Sequence, residues 1–289
     1  MEPFSRKANV LGLEVAILLA YRARKKKSLT VAGAATAFVV GYLLVASGLR
    51  GFNLIVFYQI ATKATKFKHD LKAKIDGTIT SKGSIERGPS QVLACSILAV
   101  ILSLIHVVYC GKEQAVNFLN NQLASSLTCG IIAHHATCLA DTLASELGIL
   151  AKSPPRLVTK PWKIVPPGTN GGITFTGLFY SALGGLMIGI STIVVDSISG
   201  ISSTKLAIIL FSTCCGLIGS LIDSILGATV QESYWDPDTK LVYQSNDERP
   251  TTTKAVAGLN ILTNEQVNLF SVAITTWLGG WVIGPLFFD

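Results

Sequence analysis

The apolar residues of this chain fall in blocks long enough to cross a bilayer, separated by short charged connections, a pattern that no single soluble core accommodates. Of its 289 residues, 49% are hydrophobic and 14% charged, against roughly a quarter charged in an ordinary soluble domain. Mean hydropathy is +0.51. Disorder, collagen and coiled coil are excluded on the same grounds. The expected fold class is all-α, a polytopic membrane helical bundle forming one integral membrane domain over residues 1–289.

A hydrocarbon core about 30 Å thick asks for about 20 apolar helical residues. Spans are expected near 9–21, 31–48, 52–66, 89–110, 121–140, 171–195, 205–229 and 267–287, the first and third being short. The distribution of basic residues tests this layout, because cytosolic connections of membrane proteins carry the excess of Lys and Arg. Nineteen of the 24 Lys and Arg fall on one side, in the connections after the first, third, fifth and seventh spans, and only Arg6, Lys7, Arg50, Lys112 and Lys205 on the other. Eight spans with both termini away from the cytosol follow, or seven if the first segment does not cross. The net charge of +7 is therefore a signature of topology, and no nucleic-acid partner is expected.

Six cysteines lie in or beside apolar segments with no C-x-x-C spacing, so they are expected to be buried and reduced. The first apolar run has no small-residue cleavage site after it, and no transit peptide is visible. The expected setting is the endoplasmic reticulum membrane, with the functional face towards the cytosol.

On this layout the polar residues capable of chemistry collect on the cytosolic side. Asp141 and Glu146 end the fifth span, Asp223 ends the seventh, and Asn264 and Asn268 open the eighth. Ionisable groups inside membrane segments are costly and usually face a protein interior or a wet cavity. HHATCLADTLASELG continues as a helix on its spacing, and Asp141 and Glu146, about 140° apart on it, could reach one ion only across a shared cavity. Hard carboxylates beside Thr142 and Ser145 suit Mg²⁺ with bound phosphate. A zinc site from His134, Cys138 and Asp141 has the spacing but places its histidine deeper in the span, with no further ligand suggested.

Around these carboxylates, PPGTNGG has the glycines to turn backbone N–H groups towards an anion at the start of the sixth span, or simply to start that helix. In GSLIDSILGATVQ, Gly219, Asp223, Gly227 and Gln231 recur every four residues, and small residues on the face bearing Asp223 permit close packing around a carboxylate. Arg87, opening the fourth span, can clamp two phosphate oxygens at once, with Lys82 and Arg156 as further phosphate contacts. The lysines at 63, 68, 72 and 74 are expected on a solvated face or against anionic headgroups. Asn264 and Asn268 suit a base, a sugar hydroxyl or another helix. There is no Walker loop and no nucleophile triad.

Taken together, ADTLASELG, PRLVTKPWKIVPPGTNGGIT, GSLIDSILGATVQ and LNILTNEQVNLFS, in that order, resemble the transmembrane protein 19 family, also described as domain of unknown function 92, which includes a plant phytyl-phosphate kinase. The likeness covers roughly residues 10–287. It implies an integral membrane enzyme that transfers a phosphoryl group from a nucleoside triphosphate, CTP foremost, to an isoprenyl monophosphate with Mg²⁺. Family motifs fall on Asp141, Ser145 and Glu146, on Gly168, Thr169, Asn170, Gly171 and Gly172, on Asp223 and Ser224, and on Asn264 and Asn268. The family often carries an acidic residue near the position of Asn170. Asp141, Glu146 and Asp223 are the expected metal ligands and, with Arg87, the expected catalytic residues. A transporter or flippase of a phosphorylated solute, a non-catalytic membrane scaffold and a nucleotidyltransferase making a CDP-lipid are the competing expectations.

Overall fold

The computed structural model describes residues 1–76, 86–244 and 249–288. Helices dominate: α1 (Arg6–Lys25), α2 (Val31–Ser47), α3 (Phe52–Lys66), α4 (His69–Asp76), α5 (Pro89–Ala94), α6 (Ile97–Cys110), α7 (Gln122–Gly148), α8 (Phe175–Ser199), α9 (Lys205–Val230), α10 (Asn264–Leu278) and α11 (Gly284–Phe288), the last two joined by a π turn. Every expected span contains helix, although the sixth starts only at Phe175, after a short strand at Gly172–Ile173, and the fourth is broken in two. Four helical stretches among the described residues are long and apolar enough to cross a membrane, namely α7, α8, α9 and the α10–α11 run. The count of seven or eight is not reached on that criterion. The reasons are local: α2 and α6 are apolar but only 17 and 14 residues long, which at 1.5 Å per residue falls short of the hydrocarbon core. α1 begins and ends in basic residues, α3 ends in lysines, and the expected fourth span breaks between α5 and α6 at Cys95 and Ser96.

α7 is the axis of the bundle, and α3, α6, α8, α9 and α10 all pack on it. Most of its length, from Ala124 to Ala140, is buried without interruption. Small residues set the crossings: a Cβ on Gly184 of α8 would stand 2.6 Å from the backbone of Ala140 in α7, so only glycine allows that approach. α1 packs chiefly on α2. All six cysteines are free.

At the end of the bundle where α3 and α7 begin and α8 ends, a buried charge cluster replaces apolar packing. Arg50, counted from sequence as an external basic residue, is 4% exposed and clamps Asp196, 1% exposed, with Nε to Oδ1 at 2.7 Å and Nη2 to Oδ2 at 3.0 Å. The same guanidinium donates to Gln114 O and Thr128 Oγ1, and Ser203 donates to Asp196. Glu113 accepts the backbone N–H groups of Leu49 and Arg50, both at 2.9 Å. Burial pushes the Glu113 carboxyl up, with the Arg50 charge and those N–H groups acting against it.

Two connections expected to be loops contain small antiparallel sheets, so the fold is not wholly helical. β1 (Arg156–Leu157), β2 (Lys160–Ile164) and β3 (Gly172–Ile173) are ordered β2-β1-β3, and β4 (Ser233–Trp235), β5 (Val242–Gln244) and β6 (Lys254–Ala257) are ordered β5-β4-β6. The sheets share a small core of Leu157 and Val165 with Ala228 of α9, and Lys163 of β2 donates to Val256 O of β6. Together they form a cap at the end of α9.

The β4–β5 hairpin is clasped by Asp236. Its carboxylate accepts the Thr239 and Thr252 hydroxyls, each at 2.7 Å, and the N–H groups of Asp238 and Thr239 at 3.3 Å, an Asx turn closed by a remote threonine. The hydrogen bonds from Thr239 and Thr252 hold this carboxyl below its ordinary value. A depressed pKa stabilises above the unfolded carboxylate range and is lost as pH falls through the folded value. Limited proteolysis of the 230–263 connection should therefore accelerate in acid below about pH 4 in the wild type, and should already be fast at neutral pH in Asp236→Ala. A cleavage rate in the wild type that ignores pH would refute the clasp.

Candidate functional site

Most of the residues singled out along the chain line one cavity of about 1270 Å³. Its polar end is assembled from five elements. The last turns of α7 bring Asp141, Ser145 and Glu146, because the helix runs on unbroken to Gly148 as its spacing predicts. α9 brings Asp223 and Ser224, the loop before α8 brings Gly168 to Gly172, and Arg87 precedes α5. α10 brings Asn264 and Asn268; it starts there because Thr263 and Gln266 form a reciprocal capping box.

The two membrane carboxylates differ in their partners. Asp223 accepts the Ser271 hydroxyl of α10 at 2.9 Å. Asp141 faces the same cavity. Glu146 does not join them as a third ligand: it pairs with Lys72, whose ammonium also donates to Ala64 O at 2.9 Å and Thr65 O at 2.8 Å. These carbonyls belong to the last turn of α3, where a cation is favoured, and Ala64 O also accepts the Phe67 N–H at 3.2 Å. Lys72 is thus 4% exposed, not on a solvated face. Arg87 reaches the same helix end, donating to Thr65 Oγ1 at 2.9 Å, and its backbone pairs with Ser28 and Thr30.

Among the described residues no three His, Cys, Asp or Glu side chains come together in a way that could hold a metal ion. The three expected metal ligands therefore do not gather as a set: Glu146 is engaged by Lys72, while Asp141 and Asp223 line the cavity. Two carboxylates still fit Mg²⁺, which is bound through one or two with waters and substrate phosphates completing its shell. The zinc alternative gains nothing: His134 Nε2 lies 3.0 Å from Cys95 O, inside the bundle.

The PPGTNGG loop lines the cavity but spends much of its backbone on itself. Thr169 N–H donates to Pro166 O, Gly172 N–H to Thr169 O and Asn170 N–H to Ser233 Oγ, so these three N–H groups are not turned to an anion. The loop also reaches α8 through β3 and the N-cap Thr174, not directly. Its glycines serve conformation and fit: Gly171 has φ +72°, and a Cβ there would stand 2.6 Å from Ser224 O of α9. Asn170 contributes its amide, which donates to Gln244 Oε1 at 2.6 Å. Arg156 is exposed in β1, donates to Pro161 O at 2.9 Å and does not line the cavity. Lys82 lies outside the described residues.

Sequence reasoning missed the contribution of the cap. Tyr243, Gln244, Arg249 and Pro250 line the cavity, with the Arg249 guanidinium 3.5 Å over the Tyr234 ring, and Gln231 donates to Asn264 Oδ1. A signal was present: SYW and LVYQ, rich in β-forming residues, flank the turn residues DPDT. The cavity also has an apolar end, where Leu19 and Ala23 of α1, Ala37 and Val40 of α2, and Leu54 and Phe57 of α3 form the wall.

The sequence profile of the integral membrane protein DUF92 family matches residues 14–276. "Protein PGR" of Arabidopsis thaliana is 34% identical over 277 residues, covering 93% of this chain and 94% of that protein. An uncharacterized membrane protein of Synechocystis sp. is 29% identical over 210 residues, 72% of this chain and 74% of its own length. One from Methanocaldococcus jannaschii is 31% identical over 159 residues, 55% and 50% of the respective chains. No solved structure matches.

Proposed function

Taking as premise that the chain belongs to the integral membrane protein DUF92 family, we propose that it is a membrane-embedded lipid-phosphate kinase, which moves a phosphoryl group from a nucleoside triphosphate, CTP foremost, to an isoprenyl monophosphate. The observation that carries this reading is the amphipathic cavity, with carboxylates, an arginine and amides at one end and aliphatic and aromatic walls from α1, α2 and α3 at the other. Such a space suits a ligand with a charged head and a hydrocarbon tail.

In the reaction an acceptor phosphate oxygen forms a bond to the γ-phosphorus while the bond from that phosphorus to the β–γ bridging oxygen breaks, leaving the nucleoside diphosphate and the lipid diphosphate. The acceptor is already an anion, so no base is required, and catalysis is a matter of positioning and of neutralising charge. Asp141 and Asp223 would hold Mg²⁺, which when bound neutralises phosphate charge. Arg87, anchored on Thr65 at the end of α3, offers a guanidinium to phosphate oxygens. Lys72 offsets Glu146, so the polar end does not present a third uncompensated carboxylate to incoming phosphates. Asn264, Asn268 and the amides of the cap are available to the base and ribose of the donor.

The polar end faces the cytosol in this reading, in the endoplasmic reticulum membrane. Lys66, Lys72, Arg87 and the Arg24–Glu86 pair cluster there, as the positive-inside rule asks. The opposite end of the bundle carries the Arg50–Asp196 clamp in place of a polar path, which favours a one-sided enzyme over a transporter.

The test is an incubation of the purified protein in detergent with Mg²⁺, γ-labelled CTP or ATP and a panel of isoprenyl monophosphates. Label in a lipid diphosphate with release of the nucleoside diphosphate is the expected result. Release of pyrophosphate would move the assignment to a CDP-lipid nucleotidyltransferase. Absence of any product from folded protein would overturn the kinase.

A further inference from the structure

The apolar end of the cavity has a measurable depth. Lys72 places Glu146 level with Ala64 and Thr65 at the end of α3, and Leu54, on the apolar wall, lies ten residues back along the same helix. At 1.5 Å per residue that is about 15 Å, roughly half of a hydrocarbon core about 30 Å thick. A depth of that order matches one leaflet. The wall of this arm comes from three helices: Leu19 and Ala23 face it from α1, Ala37 and Val40 from α2, and Leu54 and Phe57 from α3.

Beyond Leu54 and Val40 the arm closes on packed apolar side chains, Leu44 of α2 with Ala99 and Val100 of α6. On α3 itself the next residue, Asn53, is fully buried, donates to Thr192 Oγ1 at 2.9 Å and accepts from Ser191 Oγ at 2.6 Å, and three residues further back Arg50 holds Asp196. A hydrocarbon end that pushed past this tier would have to force apart a close-packed cluster, and on the α8 side of α3 the Asn53 and Arg50 hydrogen bonds fix the helix against shifting. The α1–α2–α3 wall therefore ends in a fixed floor, whereas a groove open along the bilayer would accept any length.

Resting on the kinase reading for the head group, the geometry points to the α1–α2–α3 arm as the subsite for a single hydrocarbon tail, with Ala37, Val40 and Leu54 as the tier that selects its length. Filling the tier shortens the accepted tail, and emptying it lengthens the tail. Phenylalanine at position 37 would project from a partly buried site into the existing space, and alanine at position 54 would open the floor.

The experiment uses the full-length protein in detergent and isoprenyl monophosphates of graded chain length, read both by competition binding against a photoreactive isoprenyl phosphate and by phosphoryl transfer. Ala37→Phe should lose about tenfold in affinity for the longest acceptors and keep the short ones, on the scale that apolar pockets discriminate chain length. Leu54→Ala should shift the preference in the opposite direction. Binding that grades with length in this way while no label moves from any nucleotide would sustain the tail subsite and overturn the kinase. Transfer that proceeds with an unchanged length profile in both folded variants would overturn the subsite and leave the kinase standing.

Discussion

An Asp141→Asn protein, purified alongside the wild type and equally folded by thermal unfolding, should transfer label to isoprenyl monophosphate at least about a thousandfold more slowly, and Asp223→Asn should behave in the same way, since removing a group that stabilises transition-state charge costs on that order. Both carboxylates line the polar end of the cavity, on α7 and α9, and neither is paired with a cation among the hydrogen bonds described for it. A carboxylate in a membrane-embedded site with no cation beside it is a candidate ligand for an incoming cation. Glu146→Gln should differ: its partner is Lys72, and the loss would strand an ammonium buried against Ala64 O and Thr65 O. Its effect should be larger on the unfolding midpoint than on turnover. Wild-type transfer by both Asp141→Asn and Asp223→Asn would remove the pair from the mechanism.

Asp196→Ala is expected to be the most destabilising single change in the bundle, by about 3–5 kcal/mol, because it leaves the Arg50 guanidinium buried without its counter-ion. Arg50→Met should be of similar size, stranding Asp196 beside Ser203. The double variant Arg50→Met, Asp196→Leu should recover much of the loss, since a buried ion pair replaced by apolar groups of similar volume is often neutral. Detergent-solubilised protein followed by thermal unfolding and by monodisperse yield provides the measurement. A single variant as stable as the wild type would show that the clamp is dispensable. The clamp lies at the end of the bundle away from Asp141 and Asp223, so whatever fraction of Asp196→Ala folds should retain transfer.

The helices were legible because their signal is repeated over many residues: apolar blocks of bilayer length, basic residues alternating between connections, and Gly219 and Gly227 one turn either side of Asp223 in α9. Much of the polar end was legible for the same reason, since Asp141, Asp223, Asn264 and Asn268 interrupt apolar stretches and so stand out. The crossing count was not legible at this level, because whether a 14-residue or 17-residue apolar helix spans depends on tilt and neighbours. Nor, by periodicity, were the sheets of the cap, whose strands are two to five residues long; only the β4–β5 hairpin left a signal, in the composition of SYW and LVYQ about DPDT.

By itself the sequence determined that this chain is an integral membrane helical protein with its polar groups gathered towards one side, because hydrophobicity and charge act residue by residue and sum along the chain. Only the tertiary structure decided the partners. It turned Lys72 inwards to Glu146, buried Arg50 on Asp196 a hundred and more residues away, set Arg156 outside the cavity, and drew α1, α2 and α3 around an apolar arm. Each of these is a contact between residues far apart in sequence, and its free energy depends on a distance and a local dielectric that exist only once the helices have packed.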